Sequence, residues 1–121
     1  MSEPAIDAAA FANLVEMTGG DVAFVNELVD TYLEDGAAQV TALRDAVTAD
    51  STEDLVRPAH SMKSSSLNVG ALPLGALCRE LEEAARSGPV PDASGRVAAI
   101  AAAFEDVRTA LLAQRSKRGS A

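Results

Sequence analysis

Tryptophan is absent from this 121-residue chain, aromatic residues make up only 3% of it, and it holds one cysteine and one histidine. One cysteine closes no internal disulfide, and one histidine with one cysteine cannot supply the ligand set of a structural zinc site. The scattered carboxylates likewise lack the inward Glu-x-x-His arrangement of di-iron bundles, so no metal or other cofactor is expected. No apolar run approaches a membrane span, and the N-terminus has neither a basic start nor a hydrophobic secretion core. The glycines form no phosphate cradle, since Gly19-Gly20 precedes no lysine and follows no strand. Positive charge is also scarce: ten Lys and Arg face 18 Asp and Glu, a net charge of −8. Without Arg115, Lys117 and Arg118 the balance is seven against 18, or −11. Nucleic acid is thereby a poor partner, and a soluble cytoplasmic protein with no membrane attachment is expected.

What is abundant is small and apolar. Hydrophobic residues reach 48%, carried mostly by Ala and Leu, which suits closely packed helices better than a sheet. The length fits one domain with one core. Asp7 reads as the N-cap of a short helix, with Ile6 stapled onto Phe11 and Gly19-Gly20 as the stop. Asp21 caps a longer segment in which Val25, Val29, Tyr32, Gly36, Val40, Leu43 and Val47 follow at steps of three or four. The stripe keeps phase across Gly36, which favours one helix over a break near Asp35-Gly36. A third helix begins near Asp50-Ser51-Thr52-Glu53, where Asp50 and Glu53 have capping-box spacing, and ends at Gly70. Its inward face is Leu55, Ala59, Met62, Ser66 and Val69. Pro58 either kinks it or delays its regular part to about Arg57. Pro73 opens a fourth helix with Leu74, Leu77, Leu81 and Ala84 inward. After the loop Ser87-Gly88-Pro89-Val90-Pro91, Asp92 or Ser94 caps a last helix striped by Val97, Ile100, Phe104, Val107 and Leu111. The expectation is an all-α antiparallel four-helix bundle preceded by a short N-terminal helix, spanning residues 1–114, with a flexible basic tail over 115–121.

A bundle alone says nothing about function, so chemistry must come from particular residues. His60 lies roughly 140° from the centre of the third helix's apolar face and should point to solvent. Lys63, one turn on, is a natural counter-charge for an anion, because an ammonium supplies a point charge and donors to phosphoryl oxygens. Ser64, four residues on, is small enough to let another protein approach the ring. Val56 and Leu67, at about 100° and 120° on the same wheel, add apolar side chains around a polar nucleophile. With Arg57 they form a candidate docking surface. Cys78 reads as a reduced core thiol, and the Glu80-Leu81-Glu82-Glu83 run as a solvated face.

Ala59-His60-Ser61-Met62-Lys63-Ser64-Ser65-Ser66, then Val69-Gly70-Ala71, Leu74 and Cys78-Arg79-Glu80-Leu81-Glu82, closely resemble the histidine phosphotransfer (HPt) domain. That family's pattern runs A-H-x-L-K-G-S-x-x-x-x-G-A-x-x-L-x-x-x-C-x-x-L-E. The resemblance extends more loosely from Asp7 to Leu112, and departs at Ser64, where Gly is usual, at Met62, where Leu is usual, and at Pro58. It implies a monomeric phosphorelay intermediate. His60 would accept a phosphoryl group from a receiver-domain aspartate, as in a hybrid histidine kinase, and pass it reversibly to the aspartate of a response regulator. Lys63 would balance the phosphate charge, and a magnesium ion would sit in the partner's acidic pocket. The chain has no nucleotide-binding motif, which implies a phosphocarrier and not an enzyme. The alternatives are a helical interaction module that binds a signalling partner without accepting phosphate, and the phosphoaccepting domain of a larger histidine kinase.

Overall fold

The computed structural model describes the backbone of residues 4–119 and the side chains of residues 4–114. Asp7 and Asp21 are the N-caps their positions predict: their carboxylates accept from Ala10 N at 3.0 Å and Phe24 N at 3.1 Å. They open α1 (Ala8–Met17) and α2 (Val22–Thr48). Ile6 and Phe11 are both buried, as the staple requires. Gly19 and Gly20 turn the chain between the two helices at φ +71° and +77°, a region closed to most side chains.

α2 runs unbroken through Gly36. The reason lies on the last helix, because a Cβ on Gly36 would overlap the Phe104 ring. Glycine costs about 1 kcal/mol of helix propensity here, and the close approach of Phe104, whose ring centroid is 6.0 Å from that of Tyr32, offsets it.

α3 (Glu53–Asn68) starts differently from the sequence reading. Asp50 sits at φ +54°, and the amides of Asp50 and Ser51 donate to Val47 O and Ala46 O, closing α2. Asp50 therefore belongs to the end of one helix and forms no capping box with Glu53. Thr52 is the N-cap without a side-chain bond, and Ser51 Oγ accepts from Asp54 N at 3.2 Å instead. The helix passes through Pro58 without waiting for Arg57. Proline leaves the Asp54 carbonyl without its usual donor, which is tolerable because Asp54 is exposed in the first turn. Leu55, Ala59, Met62, Ser66 and Val69 are buried as expected, and Pro58 joins them. At the far end Ala71 N donates to Ser66 O at 2.8 Å and Gly70 N to Leu67 O at 3.1 Å around Gly70 at φ +82°, a Schellman closure.

α4 (Leu72–Ser87) carries Pro73 in its first turn. Its buried face is Leu74, Cys78, Leu81, Glu82 and Ala85, while Leu77 and Ala84 of the expected stripe are only half-buried. The buried face of the helix is therefore turned toward Cys78, Glu82 and Ala85. Burial pushes the Cys78 thiol up to about 12, so it stays protonated in the core. α5 (Ala93–Gly119) is capped by Asp92, whose Oδ1 accepts from Gly95 N at 3.2 Å. Val97, Ile100, Phe104, Val107 and Leu111 are all buried. The backbone of 115–119, where a flexible basic tail was expected, continues α5 as helix, while the side chains there and residues 120–121 lie outside the described residues.

α2 and α4 each pack against both α3 and α5, so the four long helices close a ring in chain order. This is the antiparallel four-helix bundle, with no strand among the described residues. α1 packs on α2 and is pinned to the α3–α4 turn by Asp7 N donating to Gly70 O at 2.7 Å.

Candidate functional site

The site is set by how closely α3 and α4 approach. A Cβ on Gly75 would crowd Leu67 Cγ at 3.1 Å and come within 3.8 Å of Lys63 O, so glycine lets the two backbones meet. Seven residues back along α3 from Leu67 is His60, and seven residues on along α4 from Gly75 is Glu82. In antiparallel helices both steps are about two turns, which brings the pair opposite each other.

His60 Nδ1 lies 2.9 Å from Glu82 Oε2, with the imidazole side chain 54% exposed and the carboxylate side chain only 7% exposed. The same oxygen accepts from Arg86 Nε at 3.0 Å and Arg86 Nη2 at 2.9 Å. Lys63 Nζ forms an ion pair with Oε1 at 2.9 Å. The sequence reading of Glu82 as part of a solvated run is thus corrected: Glu80 and Glu83 face solvent, and Glu82 is the hub of a four-residue cluster. Its signals were Arg86 at i+4 and the final Leu-Glu of the family pattern. Helical period was a further signal, because Glu82 follows Leu74 and Cys78 at steps of four while Glu80 and Glu83 fall on the opposite side of the helix.

Lys63 lowers the Glu82 carboxyl most, against the opposing effect of burial, and Arg86 and His60 lower it further, to about 2. The carboxylate is ionised at neutral pH and can only accept hydrogen bonds. Nδ1 of His60 must therefore carry the proton in this contact. In the neutral ring the lone pair then belongs to Nε2.

The expected docking residues divide along α3. Ser64 and Arg57 are exposed, Val56 is half-buried, and Leu67 is 46% exposed beside Gly75. Val56 and Arg57 line an open cleft of about 1220 Å³ that Arg86 and Pro89 also border. His60 and Ser64 lie between these two apolar positions. Among the described residues no three His, Cys, Asp or Glu side chains gather as a metal ion would require, and no helix is long and apolar enough to cross a membrane.

The chain is similar to known proteins over most of its length. The Hpt domain family matches residues 27–110. The crystal structure of histidine-containing phosphotransfer protein B (HptB) from Pseudomonas aeruginosa PAO1 superposes with a TM-score of 0.86 at 31% identity, covering 96% of this chain and 98% of that one. No curated protein matches the sequence. The chain belongs to the Hpt domain family, whose part in a phosphorelay is histidine phosphotransfer. Hpt domain proteins are phosphocarriers and not kinases.

Proposed function

We propose that His60 is the phosphoacceptor of this chain, taking a phosphoryl group on Nε2 from the aspartyl phosphate of one receiver domain and returning it to the aspartate of another. A hybrid histidine kinase and a response regulator are the natural owners of those receivers. The observation that carries the reading is the 2.9 Å hydrogen bond from His60 Nδ1 to Glu82 Oε2, which leaves Nε2 as the free nucleophile on an exposed ring.

The Nε2 lone pair attacks phosphorus in line, the bond from phosphorus to the aspartyl oxygen breaks, and its electron pair leaves as the partner's carboxylate. The ring becomes cationic while keeping its Nδ1 proton, and the adjacent Glu82 charge stabilises that cation as it develops. The reverse reaction retraces these steps, since the phosphoramidate is itself a high-energy linkage. Most catalysis in such a transfer is positioning and charge stabilisation. Lys63, one turn from His60, reaches the phosphoryl oxygens. Ser64 keeps the approach to the ring clear, with Val56, Arg57 and Leu67 in contact with the partner. The chain needs no cofactor of its own in this reading, and the magnesium ion belongs to the partner's acidic pocket.

The test is incubation with a phosphorylated receiver domain. The wild-type chain should acquire an acid-labile, base-stable label, and His60→Gln should acquire none while keeping its helical circular dichroism. A label retained in His60→Gln overturns the assignment.

A further inference from the structure

Three cationic or proton-donating groups share the Glu82 carboxylate, and they hold it in unequal ways. Lys63 meets Oε1 as an ion pair at 2.9 Å, yet that buried oxygen receives no aligned hydrogen bond. Arg86 donates from two nitrogens to Oε2, the oxygen that also receives His60 Nδ1–H. Arg86 stands one turn from Glu82 on the same helix, so its geometry does not depend on α3. Lys63 stands on α3 one turn from His60, on a flexible stem.

We propose that Arg86 is a positioning residue for phosphotransfer: it stays on Glu82 when Lys63 moves to the incoming phosphoryl group, and so keeps His60 in its Nδ1–H form throughout. The inference rests on the phosphorelay reading and adds to it the residue that holds Glu82 in place.

The need for such a residue follows from burial. A carboxylate 7% exposed that lost its lysine and had no arginine would be held in the ionised form by His60 alone, and a buried unpaired carboxylate gains a proton readily. A protonated carboxyl donates to Nδ1, which moves the ring proton to Nε2 and removes the attacking lone pair. Arginine suits the task because its guanidinium keeps its charge at any working pH and presents parallel donors in a rigid fork. At 59% side-chain exposure, Arg86 does this without itself being desolvated.

The test is nitrogen-15 NMR of the labelled histidine ring in the full chain, combined with transfer from a phosphorylated receiver. Wild type should be mainly the Nδ1–H tautomer. Arg86→Met removes both hydrogen bonds from Arg86 to Oε2, and should raise the Nε2–H fraction and slow transfer roughly tenfold. In a Lys63→Ala background, which mimics departure of the lysine, Arg86→Met should shift the tautomer further than it does in wild type. Arg86→Lys should recover much of the Nδ1–H form. The proposal is overturned by an unchanged tautomer in Arg86→Met, by equal shifts in the two backgrounds, by failure of Arg86→Lys to recover the ring, or by slow transfer with a wild-type tautomer. The last of these makes Arg86 a partner contact. A wild-type chain that takes no label fails the phosphorelay reading, and the tautomer comparison still decides the role of Arg86.

Discussion

α3 carries two polar clusters against its neighbours, one to each side, and they differ in whether they are complete. On the α2 side, Tyr32 Oη and Ser66 Oγ lie 2.8 Å apart in the core, with Ser66 fully buried. Both groups are neutral, and burial outweighs the Ser66 hydrogen bond to push the Tyr32 phenol up to about 12. On the α4 side, Glu82 gathers His60, Lys63 and Arg86, and two of its three partners are more than half exposed. The first cluster is closed, and nothing outside it can use its atoms. The second is buried at its centre and open at its rim, which leaves a ring nitrogen and an ammonium available to an incoming group. A closed polar pair serves the fold, whereas a buried anion ringed by partly exposed donors holds charge where a reaction can draw on it.

The largest effect should come from blocking access to the open cluster. Ser64 is exposed and four residues from His60, so Ser64→Gln disturbs no core and introduces a good helix former. Circular dichroism should stay wild-type while transfer falls on the order of a hundredfold, the cost of displacing a reacting partner by about an ångström. A wild-type transfer rate would mean that the partner approaches from another side of the ring.

Next in size is Glu82→Gln, which tests whether the centre of the open cluster is chemical or merely structural. An amide nitrogen turned toward His60 would donate to Nδ1 and favour the Nε2–H tautomer, so transfer should drop about tenfold or more. Lys63 and Arg86 both reach solvent and are not stranded. A rate equal to wild type would make Glu82 a packing residue and remove the contrast between the clusters.

Most of the fold was legible in the sequence, including the inward placing of Tyr32 and of Ser66, though not their pairing. The stripes of α3 and α5, the stripe of α2 as far as Leu43, beyond which Ala46 is buried and Val47 only half-buried, the Asp7 and Asp21 caps and the Gly70 stop all rest on local periodicity and local hydrogen bonding, which a chain states directly. The exposure of His60 and Ser64, with Lys63 one turn from the ring, was legible too, because they share one helix face. Glu82 and Arg86 were not, since their role depends on the register between α3 and α4, which Gly75 sets by admitting Leu67. The Asp50–Glu53 box failed for a related reason. Spacing alone does not say to which helix a capping residue belongs, and Asp50 closes α2.

A smaller effect, confined to stability, is expected at the closed cluster. Tyr32→Phe keeps the ring against Phe104 but leaves Ser66 Oγ buried without its partner, a loss of about 1 kcal/mol. Unfolding in urea should register it, and phosphotransfer should be unchanged. A change in transfer without a change in stability would tie Tyr32 to the site.

The most diagnostic comparison is the pH at which each cluster fails. The Glu82 carboxyl is held at about 2 in the folded chain against an ordinary value of 4.5, so its contribution is complete above about pH 4.5 and is lost as pH falls toward 2. The Tyr32 phenol runs the other way: raised from 10.0 to about 12, it favours the folded state below pH 10, and that contribution is lost as pH rises through 12. Cys78, raised from 9.0 to about 12, adds to the alkaline loss from pH 9 upward. Urea midpoints measured from pH 2 to 11 should therefore fall at both ends in wild type. Glu82→Gln should flatten the acid limb relative to wild type and leave the alkaline limb alone. Tyr32→Phe should do the reverse, in part, because Cys78 still titrates. Taking each variant as a difference from wild type cancels the many surface carboxylates common to both. An acid limb identical in wild type and Glu82→Gln would show that the four-residue cluster contributes nothing to folding, and that its arrangement serves the transfer alone.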